Sequence, residues 1–426
     1  MTRTRAAPGT EPAMSQPTTA EPNVMDPALT ADPAAGYGRL REEAPVLRGR
    51  APDGSPCWIV TRQADVRTVL GDPRFVNSAT SVAGVSIDSI RDVLTEMAGI
   101  PRDIAHYFTD SILDSDGEDH TRLRKLVSRA FTVRRVGALR PRVEEITAEL
   151  LDRMAGLDAP VDLVAEFAYP LPITVICELV GVPEADRPAW HRWSTALMTM
   201  RKDQAPAASR EMVEHIHDLV ARRRREPADD LLTALVQVQE TDGDRLSADE
   251  LVTMVLTLVI AGHETTAHLI SNATLALLTH PDQLMRLRAE PDLWPGAVHE
   301  LMRFCGPVQI SRIRYAAEDV ELGGVTIRRG EVVQPVLVSA NHDPREYTDS
   351  DRLDVARRPA GRGEGHVGFG HGFHYCLGAA LARQEGEVAL RALVERFPAL
   401  ALAADEQEWV PTPGMRRLAR LPLRLR

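Results

Sequence analysis

Phe369-Gly370-His371-Gly372-Phe373-His374-Tyr375-Cys376-Leu377-Gly378 sets one cysteine in a loop punctuated by glycine, and a run of helix formers, Ala379 to Arg391, follows at once. Gly372 and Gly378 mark places where the backbone can turn sharply or come close to another group. A thiol at the start of a helix meets the positive end of the helix dipole, which favours the thiolate. A thiolate held this way is a metal ligand or a nucleophile, whereas a lone cysteine elsewhere is usually a packing residue.

Upstream, Ser247-Ala248-Asp249-Glu250 has the spacing of a capping box and opens a helix expected to run to Leu278. About thirty residues at 1.5 Å rise give roughly 45 Å, enough to cross a whole domain. At its middle stands Ala261-Gly262-His263-Glu264-Thr265-Thr266. A glycine, an acid and two threonines are poor choices for a helix interior, and function is the expected compensation. His263 and His268 lie five residues apart, about 140° around a helix, so the zinc-protease arrangement of histidines at i and i+4 is excluded. Further on, Glu300-Leu301-Met302-Arg303 places opposite charges on one helix face.

The remaining features narrow the class. A net charge of −11 argues against a nucleic-acid binder. Cys57, Cys177, Cys305 and Cys376 lie far apart, which is neither a disulfide framework nor a zinc site and fits a reducing compartment. The first 25 residues lack the apolar run of a signal peptide, and Leu251 to Gly262 is too short to span a bilayer. Residues 1–25, rich in Pro, Thr and Ala, are expected to form a disordered tail, leaving 26–426 as one domain. Val46 to Thr61 reads as a hairpin around Pro52-Asp53-Gly54, and Arg312 to Ser339 as strands turning at Gly323-Gly324 and Arg329-Gly330. Helices are expected at 120–131, 139–154, 163–180, 190–200, 209–225 and 295–304. Long helices with a minor, segregated sheet make the fold mainly α with a small β region.

The pattern Phe-x-x-Gly-x-His-x-Cys-x-Gly resembles the haem-binding loop of the cytochrome P-450 family, with His374 where arginine is commoner. Ala261 to Thr266 is similar to that family's oxygen-activation segment, and the likeness holds in order and spacing from about residue 30 to 425. The resemblance implies haem b between the long central helix and the cysteine-loop helix. Cys376 would be the proximal iron ligand, a thiolate that favours O–O cleavage, in a loop framed by Phe369, Gly370 and Gly378. Glu264 and Thr265 would be the acid–alcohol pair that delivers protons, with Ala261 and Gly262 leaving room beside them. His120, Arg124, Arg314 and His374 would neutralise the haem propionates, and Arg312 could face either a propionate or the substrate. Glu300 and Arg303 would lock to Arg352 and fix the cysteine loop.

By the same resemblance the protein is a cytoplasmic, monomeric monooxygenase without a membrane anchor. It would hydroxylate or epoxidise an apolar small molecule of polyketide or macrolide type, using O2 and electrons from a ferredoxin or flavodoxin. Terpenoids or steroids are alternative substrates, and peroxygenase, coupling, sensor or electron-carrier roles are alternative functions. Val93, Leu94, Leu197, Leu258, Ala261, Gln309, Ile310 and Met415 are the expected substrate contacts. Arg122, Lys125 and Arg129 share one helix face near the cysteine side and are the expected docking point for the electron donor.

Overall fold

The computed structural model of the chain describes residues 21–84, 95–96, 98–198, 202–238, 245–359 and 364–426. Ser247 Oγ accepts from the Glu250 N–H at 3.1 Å, and Glu250 Oε2 accepts from the Ser247 N–H at 2.7 Å, so the capping box forms as expected. The other helices that frame the site are α1 (Gly117–Ala130), α2 (Pro170–Val180), α3 (Arg187–Met198), α4 (Ala205–Arg225), α6 (Trp294–Cys305) and α7 (Ala379–Arg396), with α5 (Ala248–Thr279) being the long helix that the box opens. At 32 residues, α5 is about 48 Å long. It packs against α2, α4, α6 and α7, and apolar residues on nearly every side of it are buried. A helix apolar all round can only be an interior one.

The largest sheet of the small β region has five strands in the order β1 (Val46–Arg50), β2 (Pro56–Val60), β5 (Val332–Pro335), β4 (Arg314–Ala316) and β3 (Phe75–Val76), beside a three-stranded and a two-stranded sheet. The β1–β2 hairpin pairs Val46 with Val60, β2 runs parallel to β5, and β4 is antiparallel to β5. Arg314 thereby leaves the sheet at the edge of the helical layer. The strand reading of 312–339 runs too far, since Leu337–Asn341 is a short helix.

Residues 23–25, expected as the end of a disordered tail, are instead packed. Asn23 bridges to Arg50, Val24 is fully buried, and the Tyr37 hydroxyl donates to the Val24 carbonyl. An apolar side chain and a backbone bridge hold this segment to β1. Residues 1–20 lie outside the described part.

The cysteine loop is held from below by charge. Glu300 and Arg303 are both 3% exposed and meet bidentately, Nε to Oε2 at 2.7 Å and Nη2 to Oε1 at 2.8 Å. Arg303 also donates to the carbonyls of Asn341, Ser350 and Arg352. The third member of this group is Arg357, not Arg352: Arg357 Nε reaches Glu300 Oε1 at 3.1 Å, while the Arg352 side chain is exposed and only its carbonyl takes part. The sequence offers two arginines five residues apart. The turn at Asp354–Arg357 brings the second one back, with the Asp354 N–H donating to Glu300 Oε1 at 3.0 Å.

Arg357→Ala is expected to make unfolding easier by about 1–3 kcal/mol, because Glu300 keeps its burial but loses a donor. Arg352→Ala should stay within about 0.5 kcal/mol of the parent. Urea unfolding of the two variants side by side decides which arginine completes the group.

Candidate active site

The loop from Gly368 to Gly378 forms one wall of a cavity of about 320 Å3, and α5 forms the opposite wall with Leu258, Ala261, Gly262, Thr265, Thr266 and Leu269. Two glycines shape the loop. Gly370 and Gly372 take φ of 74° and 71°, and a Cβ on Gly372 would come within 2.6 Å of Gly71 Cα. Gly378 has an ordinary φ of −84°, so the expectation of a sharp turn there does not hold. A Cβ there would meet Cys376 Sγ at 3.9 Å, an ordinary contact, so nothing within the chain requires glycine at this position.

Cys376 Sγ borders the cavity at the foot of α7. Its N–H donates to the Phe369 carbonyl at 2.9 Å, which closes the loop behind the sulfur. Burial pushes the thiol up, opposed by the Gly378 N–H and by the Arg124 charge. Phe369 and Gly370 line the same wall.

At one end of the cavity four basic groups converge. Arg314 is 4% exposed and donates only to the carbonyls of Arg312 and Ile313, and burial pushes it down to about 10. Arg124 donates to the Tyr375 carbonyl at 2.7 Å and is likewise held down by burial. The rings of His120 and His374 lie 4.0 Å apart, and His120 Nε2 is buried without a partner. His374 is pushed down to about 3 by burial and then by its basic neighbours. One buried guanidinium, one half-buried guanidinium and an orphaned imidazole nitrogen beside an apolar slot form a site suited to a dianion, since buried charge otherwise demands a partner. Carboxylates on the rim of a flat apolar ligand, with a sulfur beneath it, match this donor set. Arg312 borders the same end but pairs with Asp114.

Thr265 faces the cavity and donates to the Ala261 carbonyl at 2.7 Å. Glu264 is fully buried behind that wall. Its Oε2 accepts from the Tyr169 hydroxyl at 2.5 Å and lies 3.1 Å from His268 Nε2. Burial opposes its ionisation, but the donors His268 and Tyr169 and the nearby His263 hold the carboxyl below its ordinary range. Sequence reading missed His268 and Tyr169. His268 was legible as the residue at i+4 from Glu264, while Tyr169 joins it only in three dimensions. Glu385 was missed too: it borders the cavity from α7, and burial pushes it up to about 8, so it is a neutral acid there.

Of the expected substrate contacts, Leu258 and Ala261 border the cavity. Leu197 packs instead against the main core. Gln309 lines a second cavity, and Ile310 packs with Val24, Leu29 and Tyr37. Met415 bridges to Val308 and does not border the main cavity. Pro307 and Val308, and then Ser311 and Arg312, border the cavity, while Gln309 and Ile310 between them turn away from it. Val93 and Leu94 lie outside the described residues.

Behind the loop His299, Glu364 and His366 come together, with His299 Nδ1 3.3 Å from His366 Nε2. The Gly368 N–H donates to His366 Nδ1 at 3.1 Å, so the ring hydrogen sits on Nε2 and points at His299. The pair is therefore a donor–acceptor link and not an open set of metal ligands.

A sequence model of the family described as Cytochrome P-450 matches residues 182–423. The chain belongs to the cytochrome P-450 family. Cytochrome P-450 107B1 of Saccharopolyspora erythraea is 46% identical over 94% of this chain and 96% of its own length. The 6-deoxyerythronolide B hydroxylase of the same organism is 45% identical over 96% and 99%. Among solved structures, a mutant of the mixed-function P-450 MycG in complex with mycinamicin V superposes with a TM-score of 0.80 at 41% identity, covering 91% of this chain and 95% of that one. The protein is thus a P-450 monooxygenase, and the family implies a haem cofactor, which the residues around the cavity fit. No helix among the described residues is long and apolar enough to cross a membrane.

Acid should weaken this P-450 through its buried histidines. His342 is pushed down to about 4 by burial and then by Arg303, from an ordinary 6.5. Between those values the unfolded chain binds the proton and the folded one does not, so stability falls as pH falls, by about 1.4 kcal/mol per unit for each such group. Urea unfolding across this range should show the slope, and His342→Gln should flatten it.

Proposed function

We propose that this P-450 hydroxylates or epoxidises a polyketide or macrolide scaffold with haem b held by Cys376. The observation that carries the reading is the cavity itself: an apolar slot between α5 and the cysteine loop, with all its positive charge at one end. The naming of one relative as a 6-deoxyerythronolide B hydroxylase, and the mycinamicin bound to a structural neighbour, support the substrate class. Residues 26–426 would act as a single haem-binding domain.

In this reading haem, when bound, supplies the iron at which dioxygen is reduced. Arg124, Arg314, His120 and His374 hold its carboxylates, and Phe369, Gly370 and Gly378 shape the wall beneath it. Leu258 and Ala261 exclude water above it and orient the substrate. Thr265 Oγ1, whose own hydrogen goes to the Ala261 carbonyl, would accept a hydrogen bond from water or ligand in the cavity and so position it, and Glu264 would supply protons from behind the helix. Glu300, Arg303 and Arg357 keep the loop in register.

Electrons would arrive from a ferredoxin or flavodoxin on the α1 face. Arg122 pairs with Glu250 at the start of α5 and is half-buried, whereas Lys125 and Arg129 are exposed on the same helix.

Cys376→Ser is expected to abolish the thiolate-type spectrum of the reduced carbonyl complex and nearly all oxygenation. Cys57→Ser, Cys177→Ser and Cys305→Ser should retain both, and an unchanged Cys376→Ser spectrum would overturn the assignment. Lys125→Glu and Arg129→Glu should slow stopped-flow reduction by an acidic ferredoxin, most at low salt, because complementary charge acts on the encounter rate and is screened over about 8 Å at physiological ionic strength. Substrate affinity should stay as in the parent.

A further inference from the structure

The acid behind the long helix sits in a cluster of histidines. Glu264 Oε1 has no hydrogen-bond partner and faces His263 Nε2 at 3.6 Å, and that nitrogen has none either. His263 Nδ1 lies 3.3 Å from the Val259 carbonyl and 3.2 Å from Ser194 Oγ. A carbonyl only accepts, so the imidazole hydrogen is on Nδ1. A neutral His263 would then turn its Nε2 lone pair on a carboxylate oxygen, acceptor against acceptor, in a fully buried place. One proton between them removes the conflict.

The rest of the cluster holds the other carboxylate oxygen and reaches the surface. Tyr169, on the helical turn that precedes α2, and His268 both contact Glu264 Oε2, and their own side chains lie 3.3 Å apart. His191, on α3, is half-buried, and its ring lies edge-on to Tyr169 at 5.9 Å. The other charges facing the cluster are Arg417, beside Tyr169, and Arg192, beside His191. Ser194, His263, Glu264 and His268 are all fully buried, so His191 is the member in touch with solvent.

We propose that His263 and Glu264 share one stored proton, that Tyr169 and His268 hold Glu264 in place to receive it, and that His191 connects this store to solvent. The inference rests on the reading of Glu264 and Thr265 as the path for protons. The count balances: the one shared proton leaves Glu264 toward the cavity, so Glu264 is left ionised and His263 neutral until a proton is returned. Solvent returns one proton through His191, and the phenol of Tyr169 gives up and regains its own.

The test uses the substrate-bound holoenzyme. Its infrared spectrum, titrated with acid, contains the carbonyl band of protonated Glu264, identified by its loss in Glu264→Gln. Tyr169→Phe and His268→Ala each remove a donor to the ionised carboxylate, so the band should appear at higher pH, with proton affinity raised about ten-fold or more. His268→Gln, which keeps a donor, should restore the parent value, whereas a packing role would not distinguish Ala from Gln in this way. Product formed per electron pair should drop in His191→Gln, with the substrate-induced spectral shift and its dissociation constant as in the parent. A band that stays in place in Tyr169→Phe and His268→Ala, with coupling unchanged in His191→Gln, overturns the proposal. Normal coupling in Glu264→Gln overturns the proton path on which it rests. Slow turnover in Glu264→Gln alone overturns only the store.

Discussion

The two hydrogen bonds between Arg303 and Glu300 carry more of this molecule than their number suggests. Both side chains are almost wholly buried, and taking both ions out of water costs several kcal/mol per ion before anything is gained. The attraction of the pair offsets that only because the rest of each group is satisfied. Glu300 also accepts from Arg357 and the Asp354 N–H, and Arg303 donates to three carbonyls of the segment before the cysteine loop. The result is a junction where α6, the end of the Leu337–Asn341 helix and the 350–357 turn cannot move independently. Asn341, whose carbonyl Arg303 holds, gives its side-chain oxygen to the Val367 N–H at 2.8 Å. Thus the register of the loop carrying Cys376 follows from an ion pair well away from the sulfur.

The fold and the centre of the site were legible because their signals are local. A capping box, a glycine-spaced cysteine and charges at i and i+3 are each settled within one turn of chain, and each appears where the sequence places it. What the sequence hid depends on contacts between distant segments. Arg352 and Arg357 are equivalent candidates on paper, and only the turn between them chooses. Gln309 and Ile310 sit between residues that border the cavity, and only the course of the folded backbone, with Ile310 packed on the 24–37 segment, takes them away from it. Tyr169 lies 95 residues from the carboxylate it holds, and no spacing rule connects them.

Charge is distributed against the overall balance. The chain carries a net −11, yet the interior end of the cavity gathers Arg124, Arg314, His120 and His374 with Asp116 as the acid acting on Arg314. Such a cluster lowers stability, since Arg314 has lost its water and has only the charge of Asp116 to oppose its burial. A dianionic ligand would relieve the cluster, so binding and folding become linked through the same groups.

The middle of α5 shows how a helix tolerates residues that its propensities disfavour. Thr265 and Thr266 donate to the carbonyls of Ala261 and Gly262, four residues back, and the helix remains unbroken. These bonds use up the hydroxyl hydrogens and leave the oxygen lone pairs of Thr265 toward the cavity. Ile176 of α2 packs beside Gly262, where a Cβ would meet it at 3.6 Å, an ordinary contact. Consecutive residues lie about 100° apart around a helix, so Thr265 can border the cavity while Glu264, one position earlier, turns past that wall into its histidine cluster. A single helical turn thus separates the place where the acid is held from the place where the hydroxyl meets the cavity.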